Sequence, residues 1–346
     1  MMVPFAVAYE IKERLARSML NDPKIQGIGV GYRDPRRPRR GAAVIIYANS
    51  ISAYSLGIPD SFATDRKNKN IKVPVRFVKT EGFHSHVNYR SRIRPLLAGY
   101  SIGTTRGSGT AGLIVANFPG NNKRYILSNN HVLTNPTNSR NRAVTFQPGG
   151  ADNGSRNRDR IGHLERLARL RRNRINYMDA AISVPIRTSA INPRYAAVGV
   201  VPGHVTSFRV GDRFKKVGRT TGFSYGVVDS VNTDVRVGYE RLGSFRFKNQ
   251  TVIAGKKPVS LPGDSGSVWL RRSDDFAAAV NFAGSDDGKM SVAFPIQWFM
   301  VRFGARVARP KGVGLVRSIK KNNGSMAYTR QLSRRELASI QVIYTR

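Results

Sequence analysis

The sequence predicts a mainly β protein with a small α+β domain in front. From Gly99 onward, short runs of β-forming residues alternate with Gly, Asn and Pro, the texture of an all-β barrel or sandwich. Ahead of them, one stretch with helical apolar spacing, Tyr9–Leu20, is followed by only a few strand-like runs. The composition, 40% hydrophobic with 33 Gly and 17 Pro in 346 residues, suits a folded, turn-rich chain and not a disordered polycation.

In the first part, Ile11, Leu15, Ala16 and Met19 make one apolar helical stripe, and Asn21-Asp22-Pro23 ends it. Ile25–Tyr32, Ala42–Ala48 and Ile71–Val78 read as strands, the first two separated by the basic turn Arg33–Gly41. One helix with several strands makes a small α+β domain, expected over residues 1–95. The β runs that follow are Gly112–Ala116, Arg124–Leu127, Ala143–Gln147, Ala180–Val184, Ala196–Val201, Phe214–Val217, Gly226–Val231, Gly243–Phe247 and Val268–Leu270. Ala277–Phe282, Met290–Pro295 and a helix over Ile296–Phe303 close a domain of residues 96–308, long enough for two small barrels. Residues 309–346 form a basic extension with little pattern until Ser333-Arg334-Arg335-Glu336. That is a capping box with Leu332 and Leu337 at the staple positions, and it predicts a helix from Arg334 to Ile343.

The absence of cysteine removes disulfide frameworks, thiol catalysis, iron–sulfur clusters and cysteine-based zinc sites together. No apolar run approaches the ~20 residues that span a bilayer. Met1–Tyr9 is apolar but meets Glu10, Lys12, Glu13 and Arg14 at once, unlike a secretory leader, so a cytoplasmic location is the expectation. His84 and His86 would share one face of a strand and could ligate zinc, yet Glu81 is the only nearby acid. The structural reading of that pair is favoured, and neither metal nor cofactor is expected.

Gly263-Asp264-Ser265-Gly266-Ser267 is the most informative stretch. Small neighbours let a substrate reach a serine oxygen, and a Gly two residues earlier can aim a backbone N–H at a developing oxyanion. Alone the pattern is weak, since most Gly-x-Ser matches in a Gly-rich chain are turns. The nucleophile elbow of α/β-hydrolases needs Gly where Ser267 stands, which argues against that fold. Of His84, His86, His131, His163 and His204, only His131 follows a β run and a polar turn, Tyr125–Asn130. By itself it reads as a surface histidine in an Asn-rich loop. Asp179 is the one acid between Glu165 and Asp212, and the apolar residues around it are expected to be buried. A buried carboxylate must be paired or hydrogen-bonded.

The order His131, Asp179, Ser265, at separations of 48 and 86 residues, resembles that of the chymotrypsin-like (trypsin-like) serine peptidases. The resemblance is closer still to a bacterial branch with an extra N-terminal domain. It is carried by Gly99–Gly103, Leu127–Leu133, Asp179–Ile182, Val217–Gly222, Pro262–Ser267 and Phe282–Ser285. It spans Gly99 to Phe303 well and Ile25 to Val78 loosely. What it implies is a chymotrypsin-like double β-barrel, with His and Asp from the first barrel and Ser from the second. The implied activity is that of a serine endopeptidase acting on protein or peptide through an acyl-enzyme. Ser265 would be the nucleophile, His131 the general base and then acid, and Asp179 its orienter. The N–H groups of Gly263 and Ser265 would form the oxyanion hole. Val259, six residues before Ser265, would floor a substrate pocket with Phe282, Ala283 and Gly284, and Asp286 and Asp287 lie near its wall. The chain departs from the pattern in having no acid at Val259, so a preference for basic residues is not implied. No activation site that would free a new N-terminus for Asp264 is visible either.

The formal charge is +37, and it is clustered. Arg156, Arg158, Arg160, Arg166, Arg169, Arg171, Arg172 and Arg174 precede Asp179; Arg36, Arg37, Arg39 and Arg40 form a second group, and Lys320, Lys321, Arg334 and Arg335 a third. The planar fork of arginine suits an anionic partner such as nucleic acid, an acidic polymer or an acidic peptide. Solvated arginines from a compositional bias explain the same counts. Two functions from different classes therefore stand: a serine endopeptidase tethered by its basic surface, or a peptidase-fold protein that acts only through its charge.

Overall fold

The computed structural model describes residues 2–49, 53–64, 71–80, 83, 87–120, 122–134, 138–139, 141–239, 242–319 and 327–345. Its contacts divide the chain into Met1–His86 and Val87–Arg346. The division falls before the expected boundary at 95/96 because Tyr89 belongs to the second unit. Its carbonyl accepts from Ser101 N at 2.8 Å and its ring stands edge-on to Tyr100 at 5.1 Å.

In the first unit the helix Phe5–Met19 packs on a four-stranded sheet ordered Ile25–Tyr32, Ala42–Ala48, Lys72–Lys79, Ser61–Ala63. The helix opens ahead of the expected Tyr9, because extended Pro4 sets its start and the Pro4 carbonyl accepts from Ala8 N. Ala8 and Ile11 of the helix meet Val44, Ile46 and Val73 of the sheet in one apolar core. Glu81, His84 and His86 lie outside the described residues.

The second unit holds two β systems. The first is an open, curled sheet that runs Leu113–Asn117, Arg124–Ser128, Ala181–Pro185, Arg160–Ala168, Val144–Phe146, Ser101–Gly103, Ser108–Thr110. The second closes on itself. Gly243–Ala254 pairs with Gly222–Tyr239, followed by Arg213–Gly218, Val268–Arg271, Ala277–Gly284 and Met290–Pro295, which returns to Gly243–Ala254. Phe214, Val228, Ile253 and Trp269 fill its interior, and Trp269 Nε1–H donates to Ser291 Oγ at 2.9 Å. The two barrels and the helix Ile296–Phe303 follow the sequence expectation.

Several elements differ from their sequence reading. Gly226–Val231 and Gly243–Phe247 are ends of one long hairpin, Gly222–Tyr239 with Gly243–Ala254. Its polar outward positions, Asp229, Asp234 and Arg236, break the apolar run that marks a strand. Arg160–Ala168, read only as basic, is a strand whose Ile161, Leu164 and Leu167 are buried. Ala196–Val201 is a turn with Ala197 and Gly199 at positive φ, and Ile191–Tyr195 is the strand. At the end of the chain the capping box forms, with Ser333 Oγ accepting from Glu336 N and the Glu336 carboxylate from Ser333 N. The helix stops at Ser339, short of Ile343, because β-branched Val342 and Ile343 add a strand to Arg166–Ala168. Leu315–Arg317 likewise pairs with Gly203–Val205, so the basic extension is woven into both sheets.

His204, on the strand Gly203–Val205, is fully buried and donates from Nε2 to Gln297 Oε1 at 2.7 Å. Burial pulls its pKa from 6.5 down to about 4, with the Gln297 bond acting partly against it. Between those values the unfolded chain takes up a proton that the native chain refuses. Stability should therefore fall as pH drops from 6.5 toward 4, by about 3 kcal/mol in all. Denaturant unfolding at pH 7 and pH 5 checks this: His204→Asn should show a clearly shallower decline, and equal declines would dismiss the assignment.

Candidate active site

Strand register brings His131 and Asp179 together. Ala181 pairs with Ser128, so the residues just beyond Ser128 and just before Ala181 meet at one end of the sheet. There the chain makes a single helical turn, Asn130–Leu133, and Asn129 Nδ2 donates to the Asp179 carbonyl at 2.6 Å. The Asp179 carboxylate is fully buried. Its Oδ1 accepts from Asn130 N at 2.6 Å, and its Oδ2 lies 2.5 Å from His131 Nδ1 and accepts from the Tyr239 hydroxyl at 2.7 Å. Three donors on one buried carboxylate occupy its oxygens, and its contact with Nδ1 fixes the imidazole with Nε2 on the side away from Asp179. The His131 side chain is 23% exposed, so its free edge reaches solvent.

Tyr239 was not legible as a site residue. It arrives from the far end of the long hairpin, edge-on to His131 at 5.3 Å and to Phe245 at the same distance. Burial, reinforced by the Asp179 charge, pushes its phenol well above its ordinary value, so it remains a proton donor.

Ser265 sits in a turn whose peptide planes are individually held. The Pro262 carbonyl accepts from Thr220 Oγ1 at 2.7 Å. The Asp264 carbonyl accepts from Ser267 Oγ at 2.6 Å, Asn281 Nδ2 at 3.0 Å and Ser267 N at 3.0 Å. In a trans peptide the N–H opposes the carbonyl, so these bonds turn the N–H groups of Gly263 and Ser265 the other way. The N–H groups of Asp264, Gly266 and Ser267 all have backbone acceptors, whereas those of Gly263 and Ser265 have none among the described residues. Gly263 has φ +99°, and a Cβ there would lie 2.4 Å from Arg219 Nη1, so only glycine fits. Ser267, the residue that sets this turn apart from an α/β-hydrolase elbow, is here the donor that locks the Asp264 carbonyl.

Asp264 is the internal anchor of the turn. Oδ1 accepts from Thr220 N and Thr221 N at 2.9 and 3.0 Å, and Oδ2 from Leu261 N at 2.9 Å. Its counter-charge is Lys216 Nζ at 3.8 Å, both side chains being fully buried. Lys216 also donates to Thr221 Oγ1 at 3.0 Å and lies 5.4 Å from the Trp269 ring centre. Burial lowers the Lys216 pKa, and the Asp264 carboxylate acts against that. The cation for Asp264 is thus a residue of the strand Arg213–Gly218, not a freed N-terminus. Next to it Arg219 forms a two-point ion pair with Asp152 of the first barrel, 2.6 Å for Nε to Oδ2, tying the barrels together at the turn.

The barrels meet where the two halves of the site face each other. Thr110 N donates to the Ser265 carbonyl at 2.7 Å, and Thr110 Oγ1 to the Gly263 carbonyl at 2.9 Å. A Cβ on Gly109 would lie 2.5 Å from Val132 Cγ2 and 2.8 Å from the Ser265 carbonyl, so Ser265 and the residue after His131 flank one glycine. Ser265 is half-buried, and its hydroxyl makes no hydrogen bond among the described residues. Of the pocket residues, Val259 and Phe282 are buried, Phe282 with its ring 4.7 Å from that of Phe247, whereas Ala283 is half-buried and Gly284 exposed. Of the eight arginines, Arg166 is withdrawn into the structure: Nη1 donates to the Phe303 carbonyl and its guanidinium lies among Tyr125, Phe303 and Tyr344. Arg156, Arg158 and Arg160 are exposed, and Arg169, Arg171, Arg172 and Arg174 line one cleft.

No protein-family model and no curated protein sequence matches the chain. Among solved structures it is similar to a glutamic acid-specific serine protease that uses a histidine triad in substrate binding, at 19% identity over 62% of this chain and 100% of that one, TM-score 0.46. It is also similar to Thermobifida fusca protease A, at 16% identity over 62% and 98% of the two chains, TM-score 0.43. A third is Cellulomonas bogoriensis chymotrypsin, at 19% identity over 61% and 97%, TM-score 0.42. The strand order above, one open curled sheet and one closed barrel, agrees with the double β-barrel expected from the sequence.

Proposed function

We propose that the chain is a serine endopeptidase that cleaves peptide bonds through an acyl-enzyme formed on Ser265. The observation that carries this is the buried Asp179 carboxylate, which accepts from Asn130 N and the Tyr239 hydroxyl and lies 2.5 Å from His131 Nδ1, together with a turn in which the N–H groups of Gly263 and Ser265 have no acceptor among the described residues. In this reading His131 Nε2 takes the Ser265 proton as the hydroxyl attacks the substrate carbonyl. Asp179 stabilises the imidazolium without becoming protonated, and the two N–H groups receive the oxyanion. His131 then returns the proton to the leaving amine, and a water molecule repeats the sequence to release the acid. Lys216, Asp264 and Thr220 act earlier than any of these steps, by setting the peptide planes of the turn before substrate arrives.

A fluorophosphonate probe tests the reading. It should label Ser265 in the wild-type chain and lose nearly all labelling in His131→Ala. Absence of labelling in the wild type would instead favour a peptidase-fold protein that binds an anionic partner through its arginine-rich surface, the reading motivated by Arg169, Arg171, Arg172 and Arg174 lining one cleft.

Tyr239 is assigned as a positioning residue. Its hydroxyl gives a hydrogen bond to a charged group, worth roughly 1.5–3 kcal/mol. Tyr239→Phe should lower kcat by about ten- to a hundredfold with KM little changed, because the lost bond acts through Asp179 on the orientation of His131. Steady-state kinetics on a fluorogenic peptide decides it; a change confined to KM would contradict the role.

A further inference from the structure

Beside the triad lies a cleft of about 670 Å³ lined by Arg169, Arg171, Arg172 and Arg174, by Asn138 and by Gln341 of the C-terminal strand. Its volume is that of an ordinary small-ligand site, ~300–1,000 Å³. The basic loop that forms it is held at both shoulders by asparagines. Asn138 Oδ1 accepts from Leu170 N at 2.8 Å and its Nδ2 donates to the Leu170 carbonyl at 2.8 Å. Asn176 Oδ1 accepts from Arg171 N at 2.8 Å and its Nδ2 donates to the Arg171 and Arg174 carbonyls at 2.9 and 3.2 Å. The C-terminal extension supplies the rest, since Arg171 Nη2 donates to the Ser339 carbonyl at 3.0 Å and Arg169 N to the Gln341 carbonyl at 2.9 Å. Asn138 Oδ1 also accepts from Asn130 Nδ2, and Asn130 N donates to Asp179, so the cleft begins two residues from the triad carboxylate along one hydrogen-bonded path.

None of the four arginines pairs with a carboxylate among the described residues, and Arg169 and Arg174 have no side-chain acceptor there. Four like charges held on six consecutive residues repel one another unless an anion intervenes. The lining consists of guanidinium groups and the side-chain amides of Asn138, Asn173 and Gln341, with Leu170 and Ile343, and among the described residues it contains no aromatic ring on which a base could stack. Such a lining suits closely spaced anionic oxygens with few donors of their own. The arginine fork matches phosphate in a two-point geometry. A polypeptide would bring backbone N–H donors, and Asn138 Oδ1, an acceptor at the rim, is already occupied.

We infer that this cleft binds a row of phosphates, the backbone of a single-stranded nucleic acid or an inorganic polyphosphate chain, without reading bases. The inference is independent of whether Ser265 is a nucleophile. It also gives the C-terminal extension a purpose, since that segment completes the cleft.

The test uses the full chain and a fluorescent single-stranded oligothymidylate, with binding followed by anisotropy over a salt series and competed by inorganic polyphosphate or polyglutamate. Arg169→Gln/Arg174→Gln leaves the structural bonds of Arg171 and Arg172 in place. Arg37→Gln/Arg39→Gln, in the first unit, removes the same charge elsewhere. The cleft variant should weaken binding at least tenfold and reduce the log–log salt slope by about 1.4, two phosphates at ~0.7 each on a single strand. The control should change neither to a comparable degree. Labelled polyphosphate should show the same pattern if the cleft recognises phosphates as such, and oligothymidylate alone should show it if the sugar backbone contributes. Equal losses in both variants, or no loss in the cleft variant, would reduce the cleft to solvated surface. Polyglutamate that competes as well as polyphosphate at matched charge would overturn the assignment to phosphate.

Discussion

Ser265→Ala should lower peptide hydrolysis by about 10⁴–10⁶-fold while leaving the thermal unfolding midpoint nearly unchanged. The hydroxyl makes no hydrogen bond among the described residues, so no structural bond there leaves with it, whereas the proposed acyl-enzyme has no other oxygen on which to form. His131→Ala should fall to much the same residual rate, and Ser265→Ala/His131→Ala no further, because the two act as a unit. Asp179→Asn should cost about 10⁴ in turnover. It differs from the other two in also lowering stability: Asp179 accepts from Asn130 N and Tyr239 Oη, and a carboxamide would confront one of these donors with its own N–H₂. Activity assays paired with thermal unfolding of each variant separate the two kinds of effect. Wild-type turnover in Ser265→Ala would end the peptidase reading.

Lys216→Met should be the most damaging single change away from His131, Asp179 and Ser265. It leaves Asp264 fully buried without its cation, and breaking a buried pair in this way costs roughly 3–5 kcal/mol. Because Asp264 holds Thr220 N, Thr221 N and Leu261 N, its rearrangement also releases the Pro262 and Asp264 peptide planes that aim the Gly263 and Ser265 N–H groups. Turnover should fall by ~10²–10³-fold, the loss associated with one oxyanion donor, in the fraction that still folds. A second substitution distinguishes charge from packing. Lys216→Met/Asp264→Asn removes the unpaired charge, and it should recover a good part of the stability but little of the activity. If the double variant is no more stable than Lys216→Met alone, the loss comes from packing around Trp269 and not from the ion pair.

Sequence reading found the elements whose side chains follow a local period. The apolar runs Ile25–Tyr32, Ala42–Ala48, Met290–Pro295 and Ile296–Phe303 have in the sequence the ends they have in the structure, because polar or turn-forming residues bound each of them. It missed Arg160–Ala168 and most of the long hairpin, where charged outward residues interrupt the apolar signal and pairing with neighbouring strands supplies the order instead. The terminal helix shows the same competition: a correct capping box started it, and an available sheet edge ended it early.

The sequence by itself singled out His131, Asp179 and Ser265 only as a set: each segment alone is a weak signal, and it is their order, through its resemblance to a known family, that suggests a nucleophile, a base and an orienting carboxylate. Nothing local could show that Tyr239 bonds Asp179, that Lys216 neutralises Asp264, or that Arg166 is buried among rings while Arg169 and Arg174 line a cleft. Those outcomes depend on which side chain a distant strand delivers to a charge already taken out of water. The cost of an unpaired buried charge is large enough to select that partner, but the partner's place in the chain is set only by register and barrel closure.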